Sequence, residues 1–464
     1  MGKINHLSNQ QCYDILNEAL KTGADFAEVF MEDTVNFSQE MLGCQTTKCN
    51  TSMVKGAAFR ICMGSVVVNA TTTDVSYENL KKVAANLASN FNGEQTTKPL
   101  EFKDTTNNNN VNINEDRIYD DATPLLVKAS LAALAVSKEV VQVVAGVTKK
   151  NQHIFVFASD SAYAKDHRCN TRISITVAAS DGKNMQSINS NVGANKAMEQ
   201  YDGFDAEAFG RETAESAITM LHADEMVGGE IPVVIHNGFG GVILHEATGH
   251  GLEATSVARG MSVFCGKLGE KIGSDIVNAV DCGTDPEAWG SLNVDDEGTP
   301  TRRNVLIENG VLKSYLVDKH NSKKMNHPIT GSSRRETYKH MTTSRMTNTY
   351  FLNGDSTFEE IIAATKFGLF AKRMGGGSVN PATGEFNFAV NEGYMIEDGK
   401  ITKPVRGATL VGSGKDVLMR IDMIANNLSC GHGMCGSMSG SIPANVGQPT
   451  IRVSKMTVGG KGSK

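Results

Sequence analysis

The sequence lacks the features of a membrane or secreted protein. No apolar run approaches the ~20 residues that a transmembrane helix needs. Residues 1–7 contain no apolar core of a signal peptide. The nine cysteines are odd in number and scattered along the chain, which does not fit a disulfide framework. We therefore expect a cytoplasmic protein without a membrane segment, whose cysteines stay reduced.

The sequence also has little positive charge. Lys and Arg number 45 against 51 Asp and Glu, so the formal net charge is −6. No dense basic patch occurs beyond Arg334–Arg335, and nucleic-acid binding has little electrostatic support. Hydrophobic residues make up 40% and charged residues 21% of the 464 positions. That balance is typical of a globular protein, and the length allows two domains with substantial cores.

Motifs of several enzyme classes are missing or incomplete. The chain has no G-x-S-x-G elbow of a serine hydrolase. Residues 412–415 resemble part of a phosphate loop, but the upstream glycine is absent and Asp416 stands where Ser or Thr is needed. The glycines at 375–377 lack the spacing of a dinucleotide fingerprint. They indicate either a tight turn or a backbone that approaches a peptide closely.

The most informative motif that is present combines two histidines with a glutamate. His245, Glu246 and His250 lie in the run LHEATGHG at 244–251. Two imidazoles can bind a metal ion, and the glutamate can take a proton from a metal-bound water. The alternative is a helix whose imidazoles are hydrogen-bonded in the core. The preceding apolar strand, 231–236, and the apolar residues 242–244 favour a helix that faces the interior.

The spacing H-E-x-x-x-H is one residue longer than the common H-E-x-x-H. On a regular helix, His245 and His250 would lie about 140° apart and could not share one metal ion. Gly249 and Gly251 flank His250. We therefore expect the helix to end there or to contain a π-type bulge, since either change would turn His250 back toward His245.

A third ligand must come from elsewhere in the chain. The glycine-rich segment 429–436 offers Cys430, His432 and Cys435. Zinc accepts both sulfur and imidazole nitrogen, and a glycine-rich loop can approach an ion closely. The alternative is that these are ordinary loop residues in a reducing cytosol. The residues alone leave open which of the three would bind.

The pattern of strands and helices predicts an α+β fold. We expect an N-terminal α/β domain with an antiparallel sheet at residues 1–225, and a C-terminal β-rich, barrel-like domain at 226–464 that carries the zinc-ligand helix. A polar stretch at 92–123 indicates an extended loop. Further predicted elements are a helix capped by Ser8 and Gln11, strands at 25–32 and 56–72, helices at 74–89, 124–140 and 205–221, a meander at 140–148, 153–159 and 172–179, hairpins turning at Asn309–Gly310 and Asp398–Gly399, and a helix at 358–369 capped by Ser356 or Thr357.

Several runs in the last 230 or so residues resemble one known family, the TldD/PmbA metalloproteases, and specifically its catalytic TldD-type member. These runs keep the family's order along the chain. They are 231–254, GSSRRETY at 331–338, RMTNT at 345–349, MGGGSVNP at 374–381, EGY at 392–394, PVRGATL at 404–410, GMCG at 433–436 and VGQPT at 446–450. In the first half, only the general pattern of strands and helices agrees.

The resemblance implies a zinc peptidase. It implies that His245, His250 and Cys435 bind Zn²⁺ and that Glu246 is the catalytic base. The GMCG context is what selects Cys435. Cys430 and His432 depart from the expected pattern, because they add two potential ligands close by.

Such a site would hydrolyse peptide bonds with a metal-activated water. A thiolate ligand donates more electron density than a third imidazole, so the water would be less acidic and would depend more on Glu246. A further group must stabilise the oxyanion. The candidates by residue type are Tyr338, His340, Arg335 and His432.

Strand addition on a glycine-rich, strand-rich scaffold would suit an extended peptide. The resemblance likewise implies unfolded polypeptides or peptide precursors as substrates, and either a homodimer or a heterodimer with an inactive PmbA/TldE-type paralogue. Two alternatives remain: a non-catalytic peptide-binding or assembly subunit with a structural zinc, and a regulator of DNA topology, following the family's older description as gyrase modulators. Glu246 argues against the first and the acidic balance against the second.

Overall fold

The computed structural model describes residue 4, residues 7–380 and residues 382–461. Pro381 of the MGGGSVNP run, and residues 1–3, 5 and 6 of the segment considered for a signal peptide, lie outside these residues. No helix among the described residues is long and apolar enough to span a bilayer.

The first half of the chain forms one large, mainly antiparallel sheet. The strands follow the order β3-β2-β1-β5-β6-β4, and β7 also pairs with β6. Their bounds are β1 Phe26–Leu42, β2 Gln45–Met63, β3 Val66–Thr72, β4 Lys103–Asp104, β5 Val140–Ala158, β6 Ala162–Ser180 and β7 Met185–Asn195. The antiparallel meander predicted from the sequence is present but divided wrongly: the strands predicted at 140–148 and 153–159 are one continuous strand, β5, and the meander consists of β5, β6 and β7.

Four helices cover one face of this sheet. They are α1 Asn9–Leu20, α2 Tyr77–Ala88, α3 Thr123–Val136 and α4 Ala206–Leu221. Ser8 and Gln11 form the predicted capping box at α1. Two separate apolar cores lie beneath the helices, one under α1 and α2 and the other under α3 and α4. The opposite face of the sheet packs against the second half of the chain, where Val294 and Tyr338 join a small cluster with Phe30 and Val156.

The second half contains a closed barrel. Five strands follow the order β16-β9-β23-β19-β17, and the pairing of β16 with β17 closes the ring. The strands of this sheet are β8 Asp224–Glu225, β9 Gly229–Ile235, β16 Phe367–Val379, β17 Glu385–Glu397, β18 Lys400–Arg406, β19 Thr409–Ser413, β20 Ile421–Ile424 and β23 Ile451–Gly459. The predicted α+β fold class with a barrel-like C-terminal part is confirmed. We propose that the two domains separate near residue 225, where β8 already pairs with β18.

A second sheet of six strands packs beside the barrel, in the order β12-β11-β10-β15-β22-β21. Its strands are β10 Ala279–Cys282, β11 Arg303–Glu308, β12 Val311–Leu312, β15 Asn348–Phe351, β21 Ser429–Ser437 and β22 Gly440–Gln448, and β13 Ser333–Arg334 pairs separately with β14 Thr343–Ser344. The helices of this half are α5 Val242–Leu244, α6 His250–Leu252, α7 Ala254–Val257, α8 Lys319–Met325, α9 Phe358–Ala363 and α10 Gly414–Arg420. The helix predicted at 358–369 is therefore too long: it ends at Ala363, and Phe367 begins a barrel strand.

Candidate metal centre

The histidine–glutamate motif lies on a short helix between the barrel and the six-stranded sheet. This helix contains one π-helical turn, His245–Gly249, between α5 and α6. The backbone N–H of His250 donates to the carbonyl of His245, five residues earlier. That wide turn places residues five apart above one another, as the π-type alternative predicted.

Glycine at position 249 allows this turn to pack closely. A Cβ atom at Gly249 would lie 2.1 Å from Sδ of the buried Met346, and one at Gly251 would lie 2.7 Å from the Phe264 ring. The helix thus approaches the segment after β14 more closely than a larger residue would allow. His245, at the start of the π turn, is buried, whereas His250, just after it, is half-buried.

Cys435 meets both histidines from the other side. It lies on β21 opposite Ile442 of β22. Its Sγ is 3.0 Å from Nε2 of His245 and 3.3 Å from Nε2 of His250. Among the described residues, these three form the one group of three or more such side chains whose ligand atoms lie close enough, within 4.8 Å, to hold one ion.

The three side chains polarise one another. Burial raises the pKa of the Cys435 thiol, but the charge of His245 and hydrogen bonds from both imidazoles outweigh it and lower the pKa to about 3. Burial lowers the pKa of His250, yet the Glu253 carboxylate and Cys435 raise it well above its ordinary value. Cys435 is therefore a thiolate at neutral pH, which is the form that binds metal.

The residues fit a zinc ion in both geometry and charge. Tetrahedral Zn²⁺ with bonds of about 2.3 Å to sulfur and about 2.0–2.1 Å to nitrogen would set these atoms about 3.5 Å apart. The observed nitrogen–sulfur separations fall short of that by only a few tenths of an ångström. With both imidazoles in the neutral form that binds metal, the thiolate and the carboxylates of Glu246 and Glu253 carry three formal negative charges, and Arg345 nearby carries one positive charge. The difference equals the charge of one divalent cation.

Glu246 lies at the open side of the group. Its Oε2 atom is 3.7 Å from Nε2 of His250, and its side chain is 22% exposed. A carboxylate in this position can accept a proton from a molecule held beside the three donors.

Two of the three possible third ligands lie elsewhere. Cys430 forms a backbone bridge with Gly238, and burial raises its pKa to about 11. His432 packs edge-on against Trp289, with ring centroids 6.4 Å apart, and burial lowers its pKa to about 4. The structure brings Cys435, but neither Cys430 nor His432, to the two histidines.

The other candidate oxyanion donors belong to the junction of the two halves. Arg335 is buried, lies over the Phe30 ring and contacts Glu28 at 3.4 Å. Tyr338 is buried in the small cluster beneath the N-terminal sheet. His340 is half-buried beside Thr337. These contacts give each side chain a structural partner away from the three donors.

The sequence reasoning missed two residues at the centre, Glu253 and Arg345. Oε2 of Glu253 lies 3.1 Å from Nδ1 of His250, and Arg345 contacts both Glu253 and the backbone of Cys435. An acid three residues after a helical histidine lies on the same helix face, so Glu253 could have been noticed. Arg345 lies in the RMTNT run, but nothing in that run indicates a role at a metal centre.

Comparison with known proteins points to one family. Residues 228–460 match the model of the PmbA/TldA metallopeptidase C-terminal domain, and residues 113–221 match the model of its central domain. A metalloprotease TldD homolog of Haemophilus influenzae is 40% identical over 343 residues, which cover 72% of this chain and 71% of that protein. The metalloprotease TldD homolog of Buchnera aphidicola subsp. Acyrthosiphon pisum is 32% identical, and the match covers 98% of this chain and 97% of that protein. A zinc metalloprotease TldD homolog of Saccharolobus solfataricus is 32% identical, and the match covers 56% of this chain and 58% of that protein.

Solved structures share the fold at low sequence identity. A protein of Thermotoga maritima, described as a modulator of a DNA gyrase, superposes with a TM-score of 0.78 at 20% identity and covers 97% of this chain and 99% of its own. TldE from Thermococcus kodakarensis superposes with a TM-score of 0.76 at 17% identity and covers 97% of this chain and 100% of its own. The two family models and the identity to the bacterial relatives show that the chain belongs to the PmbA/TldD metallopeptidase family.

Proposed function

We propose that this protein is a zinc-dependent peptidase in which His245, His250 and Cys435 hold the metal and Glu246 is the general base. The observation that carries the proposal is the convergence of the two imidazoles and the thiol, with Glu246 beside His250. Membership of a metallopeptidase family, with one relative named a zinc metalloprotease, supports the same conclusion.

When bound, zinc supplies Lewis acidity, which polarises the scissile carbonyl and lowers the pKa of water. Glu246 accepts a proton from the attacking water at a carboxylate oxygen and returns it to the leaving amine. The side chain of Glu246 is partly exposed, which gives it access to substrate, whereas His245 is buried.

We propose extended peptides, from unfolded polypeptides or peptide precursors, as the substrate class. One feature that supports this is the free edge of β16. This strand pairs with β9 only from Leu369 to Ala371, yet it continues to Val379 beside β17. Its outer edge from 372 onward has no strand partner among the described residues, so an extended peptide could pair with it through main-chain hydrogen bonds.

A dimer completes the proposal. The likeness to TldE supports either a homodimer or a heterodimer with an inactive PmbA/TldE-type paralogue. The free thiols of all nine cysteines support a reducing, cytoplasmic location.

The test compares zinc content with cleavage of an unfolded protein. Glu246→Ala is expected to keep zinc and lose at least a hundredfold in cleavage, because base catalysis contributes about 10²–10⁴-fold. Cys435→Ala is expected to lose both zinc and cleavage. Cys430→Ala, on the same strand, is the matched control and should behave as wild type.

Four outcomes would contradict the proposal. Full zinc content in Cys435→Ala would remove Cys435 from the ligand set. Unchanged cleavage by Glu246→Ala would show that Glu246 is not the base. If both variants kept their zinc and their activity, the site as a whole would be wrong. A wild type that binds zinc tightly but cleaves no unfolded protein would favour the structural-zinc alternative.

A further inference from the structure

His250 has a charged partner on the side away from the thiol. Its Nδ1 atom lies 3.1 Å from Oε2 of Glu253, which is only 5% exposed. A carboxylate there accepts the Nδ1–H proton and leaves the lone pair of Nε2 free for a metal ion. Nδ1 of His245 is also buried but has no hydrogen-bond partner among the described residues. The two histidines therefore differ in how firmly their rings are oriented.

Glu253 itself is held in place by its backbone. It lies between α6 and α7 in extended conformation and forms a parallel bridge with Leu316. The N–H of Ala254 donates to the carbonyl of Leu316 at 2.8 Å, and the N–H of Leu316 donates to the carbonyl of Leu252 at 3.0 Å. These backbone hydrogen bonds fix the position of Glu253, and so they restrict where its carboxylate can lie.

Arg345 connects this carboxylate to the third ligand. It is fully buried, and its Nε atom lies 3.6 Å from Oε1 of Glu253. Nη2 donates to the carbonyl of Cys435 at 2.5 Å. Nη1 donates to Oγ of Ser439 at 2.7 Å and to the carbonyl of Gly440 at 3.1 Å, both at the turn between β21 and β22. One guanidinium therefore spans the acid that orients His250 and the hairpin that carries Cys435.

We propose that Glu253 and Arg345 are positioning residues that fix His250 and Cys435 relative to each other, so that the ligand set is formed before metal binds. This inference rests on the proposed function. The two ligands are 185 residues apart in sequence and lie on different elements. A planar guanidinium with several fixed donors can hold a carboxylate and two or three carbonyl or hydroxyl oxygens at once, which an ammonium cannot do.

The experiment measures Zn²⁺ affinity by competition with a chromophoric chelator, and the absorption spectrum of the Co²⁺-substituted protein. Glu253→Gln should weaken Zn²⁺ binding about 10- to 100-fold, as is typical for loss of such a partner of a ligand histidine. Arg345→Lys should weaken it as well, and the cobalt thiolate band should shift or lose intensity in both variants because the ligand geometry is no longer fixed. Glu253→Asp, which keeps the charge but shortens the reach, should give an intermediate affinity.

The matched control is Glu392→Gln in the barrel. Glu392 is a buried carboxylate that pairs with Lys372 at 2.7 Å and with Arg373 at 2.9 Å, and it contacts none of the three donors. Its loss should lower stability without changing the cobalt spectrum. Each variant is first shown to be folded by circular dichroism, and if Arg345→Lys fails to fold, the Glu253 variants decide.

The outcomes separate this inference from the proposed function. If wild type and Cys435→Ser bind Zn²⁺ equally, the proposed metal site itself is wrong. If Cys435→Ser loses zinc while Glu253→Gln keeps wild-type affinity and an unchanged cobalt spectrum, the site stands and the positioning role is overturned. If Glu392→Gln weakens zinc binding as much as Glu253→Gln, the effect is one of general stability, and the positioning role is likewise overturned.

Discussion

At the residue scale, burial sets the protonation of histidines far from the metal centre as well. His167 on β6 stacks on His153 of β5, with ring centroids 4.0 Å apart. Burial, and secondarily the charge of His153, lowers the pKa of His167 to about 4. Its Nε2 atom lies 2.7 Å from Oδ1 of Asn151, and the exposed Glu115 is 3.7 Å from Nδ1. The native state therefore holds this imidazole neutral at pH values where an unfolded chain would protonate it.

This depressed pKa makes stability depend on pH. The unfolded chain binds the proton near the ordinary pKa of 6.5 and the folded chain only near 4, so the contribution of neutral His167 is present above 6.5 and lost as the pH falls toward 4. His167→Gln should abolish this part. In urea titrations at pH 7.5 and pH 5, the free energy of unfolding should fall by about 1–2 kcal/mol more in wild type than in the variant. Equal losses in the two proteins would show that His167 is not held neutral.

At the element scale, the π turn brings His245 and His250 onto one side of the helix although they are five residues apart. Its register depends on the close contact between Gly249 and Met346, which lies just after Arg345. The same stretch of chain thus supports the π turn with Met346 and contacts Glu253 and the Cys435 hairpin with the preceding residue, Arg345.

Gly249→Ala should disturb this turn. The new methyl group would need the space occupied by Sδ of Met346, so we expect a loss of about 1–3 kcal/mol in stability and weaker zinc binding. Met346→Ala alone leaves a cavity and should also destabilise. The double variant should lose less stability than the two single variants lose together, because the removed Met346 side chain makes room for the new methyl group. Strictly additive losses in a thermodynamic cycle would contradict the proposed contact.

Local signals predicted some elements well and others poorly. The hairpins at Asn309–Gly310 and Asp398–Gly399 are confirmed, since both residues of each turn have positive φ, which Asn, Asp and Gly tolerate. The hairpin of β1 and β2 was largely missed. Residues 45–55 of β2 are mostly exposed and polar, so no alternation of apolar residues marks them as a strand.

At the site too, features set by neighbouring residues could be predicted, and features set by tertiary contacts could not. The H-E-x-x-x-H run and its glycines are neighbours in sequence, so the π-type turn could be predicted. The helix predicted to continue to residue 369 was wrong, because pairing with β9 and β17 draws Phe367–Val379 into the barrel. Arg345 could not be assigned from sequence either, since its contacts join segments that only the tertiary fold brings together.

At the scale of the whole molecule, the two halves meet through buried charges. Arg60 on β2 contacts Glu28 of the same sheet at 2.9 Å and Glu297 of the second half at 2.6 Å. The adjoining acids also hold the backbone that leads to the metal centre. Asp295 accepts from the N–H of Ser333 at 3.0 Å, and Asp296 accepts from the N–H of Arg335 at 2.6 Å.

This junction therefore reaches the metal centre through a short path. The N–H of Arg345 donates to the carbonyl of Ser332 at 2.8 Å, next to the residue that Asp295 holds. A disturbance of the acids at 295–297 would move the strand pair β13 and β14, and with it the guanidinium that contacts Cys435. Stability of the junction and affinity for metal should consequently be linked.

Arg60→Met tests that link. The change leaves Glu28 and Glu297 buried without their shared cation, so the free energy of unfolding should fall by about 3–5 kcal/mol, and zinc affinity should fall with it. Adding Glu297→Gln should restore part of both, because it removes one of the two uncompensated charges. Arg452→Met, which breaks the partly exposed pair with Asp422, is the control and should cost less than about 1 kcal/mol with no change in zinc affinity. A destabilised Arg60→Met protein that binds zinc like wild type would show that the junction holds the two halves together without supporting the metal centre.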